Sequence, residues 1–113
     1  PPTHAKVAKT ALGTGRYLTW TICEEVDEAL LAIKTAGYGL VGVELADGAL
    51  PIHDVAFPDR TCLALGHEDR GLSTTVLAAC DTVAFIPQLG KVGSLNVSTA
   101  AGIALYELNR RRW

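Results

Sequence analysis

The chain has 113 residues, enough for one domain with a modest core. Hydrophobic residues make up 49% and charged residues 19%, which favours a folded globular class over disorder. A formal net charge of -2 gives no global pull towards nucleic acid, so any such contact needs a local basic patch, and Arg110, Arg111 and Arg112 form the only dense one.

Residues 1–4 (P-P-T-H) read as a non-helical lead-in, because proline removes a donor and restricts its neighbour. Residues 5–12 suit a short helix, ended by Gly13-Thr14-Gly15. Those glycines do not complete the dinucleotide fingerprint G-x-G-x-x-G, since Leu18 stands at its third glycine, and they read as a turn. Residues 17–22 (Y-L-T-W-T-I) are aromatic and β-branched and predict a strand. Val26, Ala29, Leu30 and Ile33, with Leu31 at the margin, mark the apolar face of a helix. Its acidic start (Glu24, Glu25, Asp27, Glu28) suits the helix dipole, and Gly37 supplies a stop.

Residues 39–45 (G-L-V-G-V-E-L) form a near-continuous apolar run, as a strand covered on both faces requires. A loop opens at Asp47-Gly48 and continues through Pro51 and Pro58. Residues 61–65 predict another buried strand, ending at Gly66. A helix over 73–79, capped by Ser73 or Thr74, leads to a further strand over 82–86. The final helix runs from about Asn96 towards Arg112, with Asn96 as a plausible N-cap. Strands alternating with helices predict a single α/β domain with a mostly parallel sheet flanked by helices. No apolar run is long enough to cross a membrane and no signal-peptide pattern is present, so a soluble cytoplasmic protein is the expectation.

Two loops hold the residue types that carry chemistry. The first, after the strand over 61–65, reads G-H-E-D-R-G (residues 66–71). Glu68 there would orient a ligand, contact a basic residue or act as a base; the alternative is a hydrated turn in which Glu68, Asp69 and Arg70 pair locally. His67 has no histidine neighbour in sequence, since His4 and His53 lie in separate loops. The second loop follows the strand over 82–86, carries two glycines and ends at Ser94 and Asn96, a geometry that faces backbone amides towards a ligand. Cys23, Cys62 and Cys80 lack metal-ligand spacing and sit among apolar neighbours, predicting buried free thiols and no metal site. No catalytic triad, phosphate-binding loop or C-x-x-C is present.

Taken together, the two loops resemble a known family. L-A-L-G-H-E-D-R-G-L-S (residues 63–73) is similar to the second motif of the SpoU/TrmH-type RNA methyltransferases of the SPOUT superfamily. I-P-Q-L-G-K-V-G-S-L-N-V-S-T-A-A-G-I-A-L-Y-E-L (residues 86–108) resembles their third motif nearly throughout. K-T-A-L-G (residues 9–13) and the helix-to-strand stretch ending at Leu45 are similar to the same family, less diagnostically.

The resemblance implies a deep carboxyl-terminal trefoil knot, an exception to the rule that connections do not thread loops, holding S-adenosyl-L-methionine in a bent form. By the same resemblance, Gly66, Ile86 and Leu95 would line the cofactor pocket through backbone groups, and Leu65, Pro87, Leu89 and Gly90 would complete its walls. Adenine needs such apolar walls with a few fixed polar groups. The implied reaction is methyl transfer to a ribose 2′-hydroxyl of tRNA or rRNA, with Glu68, Ser94 and Asn96 organising the catalytic site. The final helix, through Ala100, Ala101 and Gly102, would face a second subunit of a homodimer.

One departure from the family pattern stands out. Its first motif, with the arginine proposed as base, would lie before Pro1, and Arg16 is no substitute because it follows K-T-A-L-G. The expectation is therefore a carboxyl-terminal portion of the methyltransferase domain, lacking roughly one β-α-β unit. His67 and Asp69 also replace commonly small residues. A catalytically incomplete RNA-binding or dimerisation module of the same fold is the alternative, and a Rossmann-type oxidoreductase lacks its glycine fingerprint.

Overall fold

The computed structural model describes residues 18–67, 70–89 and 96–113. Four strands, β1 (Gly39–Val43), β2 (Leu50–Pro51), β3 (Thr61–Leu65) and β4 (Thr82–Phe85), form one sheet in the order β2-β4-β1-β3, with every neighbouring pair parallel. Helix α1 (Val26–Thr35) precedes β1, a 3₁₀ turn (Ile52–Asp54) follows β2, α2 (Thr74–Ala79) joins β3 to β4, and α3 (Val97–Arg110) comes last. This is the parallel, helix-flanked α/β architecture that the alternating pattern predicts.

The apolar runs have a direct cause. In β1, Val41 points to a cluster with Ala84, Ile52, Val55 and Ala104 of α3, packed by Val43, Leu63, Phe57 and Ile86. Gly42 faces the other way, where an added Cβ would meet Cys80 Sγ at 2.8 Å and Leu72 Cδ1 at 3.0 Å. Helices α1 and α2 pack on β1 as well as on each other, and α3 packs on β3 and the 3₁₀ turn. Both faces of the central strand are covered, so alternation with polar residues would bury unsatisfied groups. Asp81 fixes where the β1–β4 ladder begins: its carboxylate accepts the Leu40 N–H at 2.8 Å, and its own N–H donates to the Leu40 carbonyl at 2.8 Å.

Helix α1 begins after Glu25 with Asp27 and Glu28 in its first turn, and Gly37 ends it at φ +85°. Ala29, Leu30 and Ile33 are half-buried, whereas Leu31 is exposed and lies off the packed face. Ser73 caps α2, accepting the Val76 N–H at 3.3 Å.

Three expectations need correction. Residues 18–22 form no regular element, and Leu18 and Ile22 are each 64% exposed; Tyr17 lies outside the described residues, as does the helix expected over 5–12. Aromatic and β-branched residues make a strand only where a partner accepts their hydrogen bonds, and no described strand pairs with these. Cys23 is exposed, and Cys62 and Cys80 are only partly covered, so the cysteines are free but not a buried set. The loop expected from Asp47 contains β2 and the 3₁₀ turn. Two residues are too short to show a period, and Pro51, which cannot donate, marks the sheet edge.

The arginine cluster also has a different use from the one its charge suggests. Arg111 donates to the Val55 carbonyl, to those of Ile52 at 3.1 Å and His53 at 3.0 Å, and to Glu107 at 2.8 Å, while its guanidinium lies 4.8 Å from the Phe57 ring centre. Arg112 donates to the carbonyls of Pro58 at 3.0 Å and Asp59 at 2.8 Å. Arg110 pairs with Glu107 through two bonds of 2.8 Å. Arg111 and Arg112 fasten the end of α3 to the 52–59 segment, and these donors are engaged within the chain. The Arg110 guanidinium, joined by Arg111, holds the Glu107 carboxyl below the ordinary carboxylate range.

Candidate functional site

In a parallel sheet every strand ends at the same edge, and ligands bind in the crevice there. Here that edge gathers the exits of β1, β3 and β4.

At the exit of β3 the chain turns back on itself. The His67 N–H donates to the Gly71 carbonyl at 3.2 Å, and the Gly71 N–H donates to the His67 carbonyl at 2.7 Å, forming an isolated antiparallel bridge. Gly71 sits at φ +66°, a conformation that side chains disfavour. A Cβ on Gly66 would lie 2.1 Å from the Gly71 carbonyl carbon and 2.3 Å from the Leu72 nitrogen. The turn therefore closes only with glycine at Gly66. Leu65 and Gly66 remain half-exposed on its outer side.

At the exit of β4, Ile86 packs partly into the core cluster, and Pro87 and Leu89 are exposed, Leu89 to 99%. Leu45, just past β1, is 81% exposed. Apolar side chains left uncovered at the strand-exit edge give a surface suited to a flat aromatic group.

Asn96 stands at the start of α3. Its side-chain oxygen accepts from the Ser98 N–H at 2.8 Å and the Thr99 N–H at 3.4 Å, the N-cap geometry that its position suggests. The structure thus brings Leu65, Gly66, Ile86, Pro87 and Leu89 to the strand-exit edge. Glu68, Gly90, Ser94 and Leu95 lie outside the described residues.

Glu44 is the residue that motif reading missed. It follows β1, its N–H donates to the Ala84 carbonyl at 2.8 Å, and its carboxylate oxygen Oε1 accepts the Leu72 N–H at 2.9 Å. A signal was present in G-L-V-G-V-E-L: one charge ending an otherwise apolar strand needs a partner at that end.

The sequence matches the profile of the SpoU rRNA Methylase family over residues 1–106. The chain belongs to the SpoU rRNA methylase family. This SpoU chain is 44% identical over 112 residues to the 23S rRNA (guanosine-2′-O-)-methyltransferase RlmB of Acinetobacter baylyi, covering 98% of the chain and 44% of that enzyme. It is 30% identical over 106 residues to the tRNA (guanosine(18)-2′-O)-methyltransferase of Escherichia coli K12, covering 94% of the chain and 46% of the enzyme. The SpoU methyltransferase AviRb from Streptomyces viridochromogenes, solved in complex with the cofactor AdoMet, superposes with a TM-score of 0.82 at 31% identity, covering 99% of the chain and 46% of that structure. The SpoU chain spans a little under half the length of the curated relatives it matches.

Proposed function

We propose that residues 1–113 form part of one S-adenosyl-L-methionine-dependent methyltransferase domain that modifies a ribose 2′-hydroxyl of tRNA or rRNA. The observation that carries the reading is the closed Gly66–Gly71 turn beside the uncovered β4 exit, within a chain of the SpoU family. The Acinetobacter and Escherichia relatives are named for guanosine 2′-O-methylation of 23S rRNA and of tRNA, so the RNA class stays open between them.

The described residues fit the cofactor. Leu65, Ile86, Pro87 and Leu89 supply apolar cover for an adenine, and Gly66 leaves its backbone approachable, with Gly90 and Leu95 assigned to the same pocket by the family motif. When bound, the cofactor supplies an electrophilic methyl group on a sulfonium sulfur. The whole enzyme must hold the nucleophile in line and remove its proton, because a ribose hydroxyl attacks poorly while protonated, and residues 1–113 are assigned the holding part. By the family resemblance, Ser94 would help position the RNA phosphate or ribose and Glu68 would hold polar groups in place. Asn96 would do the same as Glu68 from the N-cap of α3, with its oxygen already engaged in the cap.

The trefoil knot and the homodimer belong to the same proposal. Ile103, Leu105 and Tyr106 of α3 are exposed, to 39%, 50% and 60%, and offer an apolar face to a second subunit. Work on tRNA or rRNA would place the protein in the cytoplasm. Calorimetric titration of the full-length protein with S-adenosyl-L-methionine, followed by methyl transfer to tRNA and rRNA transcripts, tests the reading. Binding with transfer is expected. A folded protein that binds no cofactor would remove it, and RNA binding without transfer would replace the enzyme with a binding module.

A further inference from the structure

We propose that Glu44 is a positioning residue that sets the cofactor-side turn after β3 by clamping it to the end of β1. The inference rests on the methyltransferase reading above and names a residue that the family motifs leave out.

Three observations converge. The Glu44 backbone is fixed, since its N–H donates to the Ala84 carbonyl at 2.8 Å and so extends the β1–β4 ladder. Its carboxylate reaches across to the β3 exit, where Oε1 accepts the Leu72 N–H at 2.9 Å. On Gly71 the space a Cβ would need is filled by that same oxygen, 1.6 Å from the built position. Gly71 thus serves two purposes, a positive φ and room for the Glu44 carboxylate.

An acceptor at 2.9 Å satisfies the Leu72 N–H, and losing it leaves that part-buried donor unpaired. Leu72 immediately follows the His67–Gly71 bridge, so fixing its N–H fixes the end of the turn that begins at Gly66. Glu44 therefore ties together the exits of β3 and β4, the two strand ends assigned to the methyl donor. It need not touch the cofactor to hold both walls at one spacing.

The test uses the full-length protein, S-adenosyl-L-methionine as titrant and three variants. Glu44→Ala removes the acceptor, Glu44→Asp keeps the charge but shortens its reach, and Glu44→Gln keeps an oxygen at the same reach. Glu44→Ala and Glu44→Asp are expected to weaken cofactor binding about tenfold, and Glu44→Gln by no more than roughly threefold. The KM for cofactor should rise while the KM for RNA stays unchanged, a split that general destabilisation would not produce. Amide exchange at Leu72 should accelerate in the first two variants while that at Val41 stays slow. Gly71→Ala, which displaces the carboxylate from the other side, should reproduce the loss, so the inference stays testable if Glu44→Ala does not fold. Wild-type cofactor affinity in Glu44→Asp, or an equal loss of RNA and cofactor affinity, overturns the assignment. A wild-type protein that binds no cofactor overturns the function reading itself, and the assignment with it.

Discussion

Gly66 and Gly71 meet without room for a methyl group between them: a Cβ on Gly66 would stand 2.1 Å from the Gly71 carbonyl carbon. The obstacle is backbone, not a side-chain tip, so Gly66→Ala must open the His67–Gly71 bridge. Overpacking of this kind costs about 1–3 kcal/mol. Chemical denaturation should show that loss, and cofactor titration of the same variant should show binding reduced well beyond what the stability loss explains.

Arg111 fastens the end of α3 to the carbonyls of Ile52, His53 and Val55 while stacking on Phe57. A lysine keeps the charge but neither the planar fork nor the stack. Arg111→Lys should therefore destabilise the fold nearly as much as Arg111→Ala, each by about 2 kcal/mol. Urea denaturation midpoints check this, and a Lys variant as stable as wild type would reduce the interaction to simple charge.

Glu107 makes stability depend on pH at its acidic end. Its folded carboxyl titrates below the ordinary value because of Arg110 and then Arg111, so it binds a proton less readily folded than unfolded. Its contribution is present above the unfolded carboxylate range, near pH 4, and disappears as pH falls through the lower folded value. Thermal melts of wild type and Glu107→Gln should differ at pH 7 and converge on acidification.

Asn96 can be divided into its two roles. Asn96→Ala removes the cap oxygen and should cost about 1 kcal/mol, whereas Asn96→Asp retains it and should melt like wild type. If the amide also positions RNA, Asn96→Asp should lose methyl transfer at full stability.

The thiols should separate by exposure. Cys23 is exposed, while burial raises the Cys62 and Cys80 thiols above their ordinary value. With 5,5′-dithiobis(2-nitrobenzoate) at pH 8, Cys23 should react fast and the other two slowly, because the thiolate is the reacting form. Mass mapping of the first modified peptide checks the order.

The local chemistry of the chain was readable from its letters. Parallel strands at 39–43, 61–65 and 82–85 lie within the apolar runs at 39–45, 61–65 and 82–86, as a sheet covered on both faces requires. Ser73 and Asn96 cap helices because a side-chain oxygen there answers a free amide a few residues on, wherever the helix packs. The two loop motifs were legible for the same reason: glycines and polar groups at fixed short spacing. What no local rule contained was partnership over distance. Residues 18–22 had strand chemistry but no described strand to pair with, and two residues at 50–51 became a strand because β4 stood beside them. In the arginine run at 110–112, Arg111 and Arg112 are engaged by carbonyls about 55 positions away in sequence, which no local pattern shows. Glu44 gained its partner only when β1 and β3 aligned at one edge, 28 residues apart in sequence. Sequence alone set the strands β1, β3 and β4 and the capped helix starts at Ser73 and Asn96, since there neighbours along the chain suffice. The tertiary structure alone decided which charges are engaged and where, since that depends on neighbours in space.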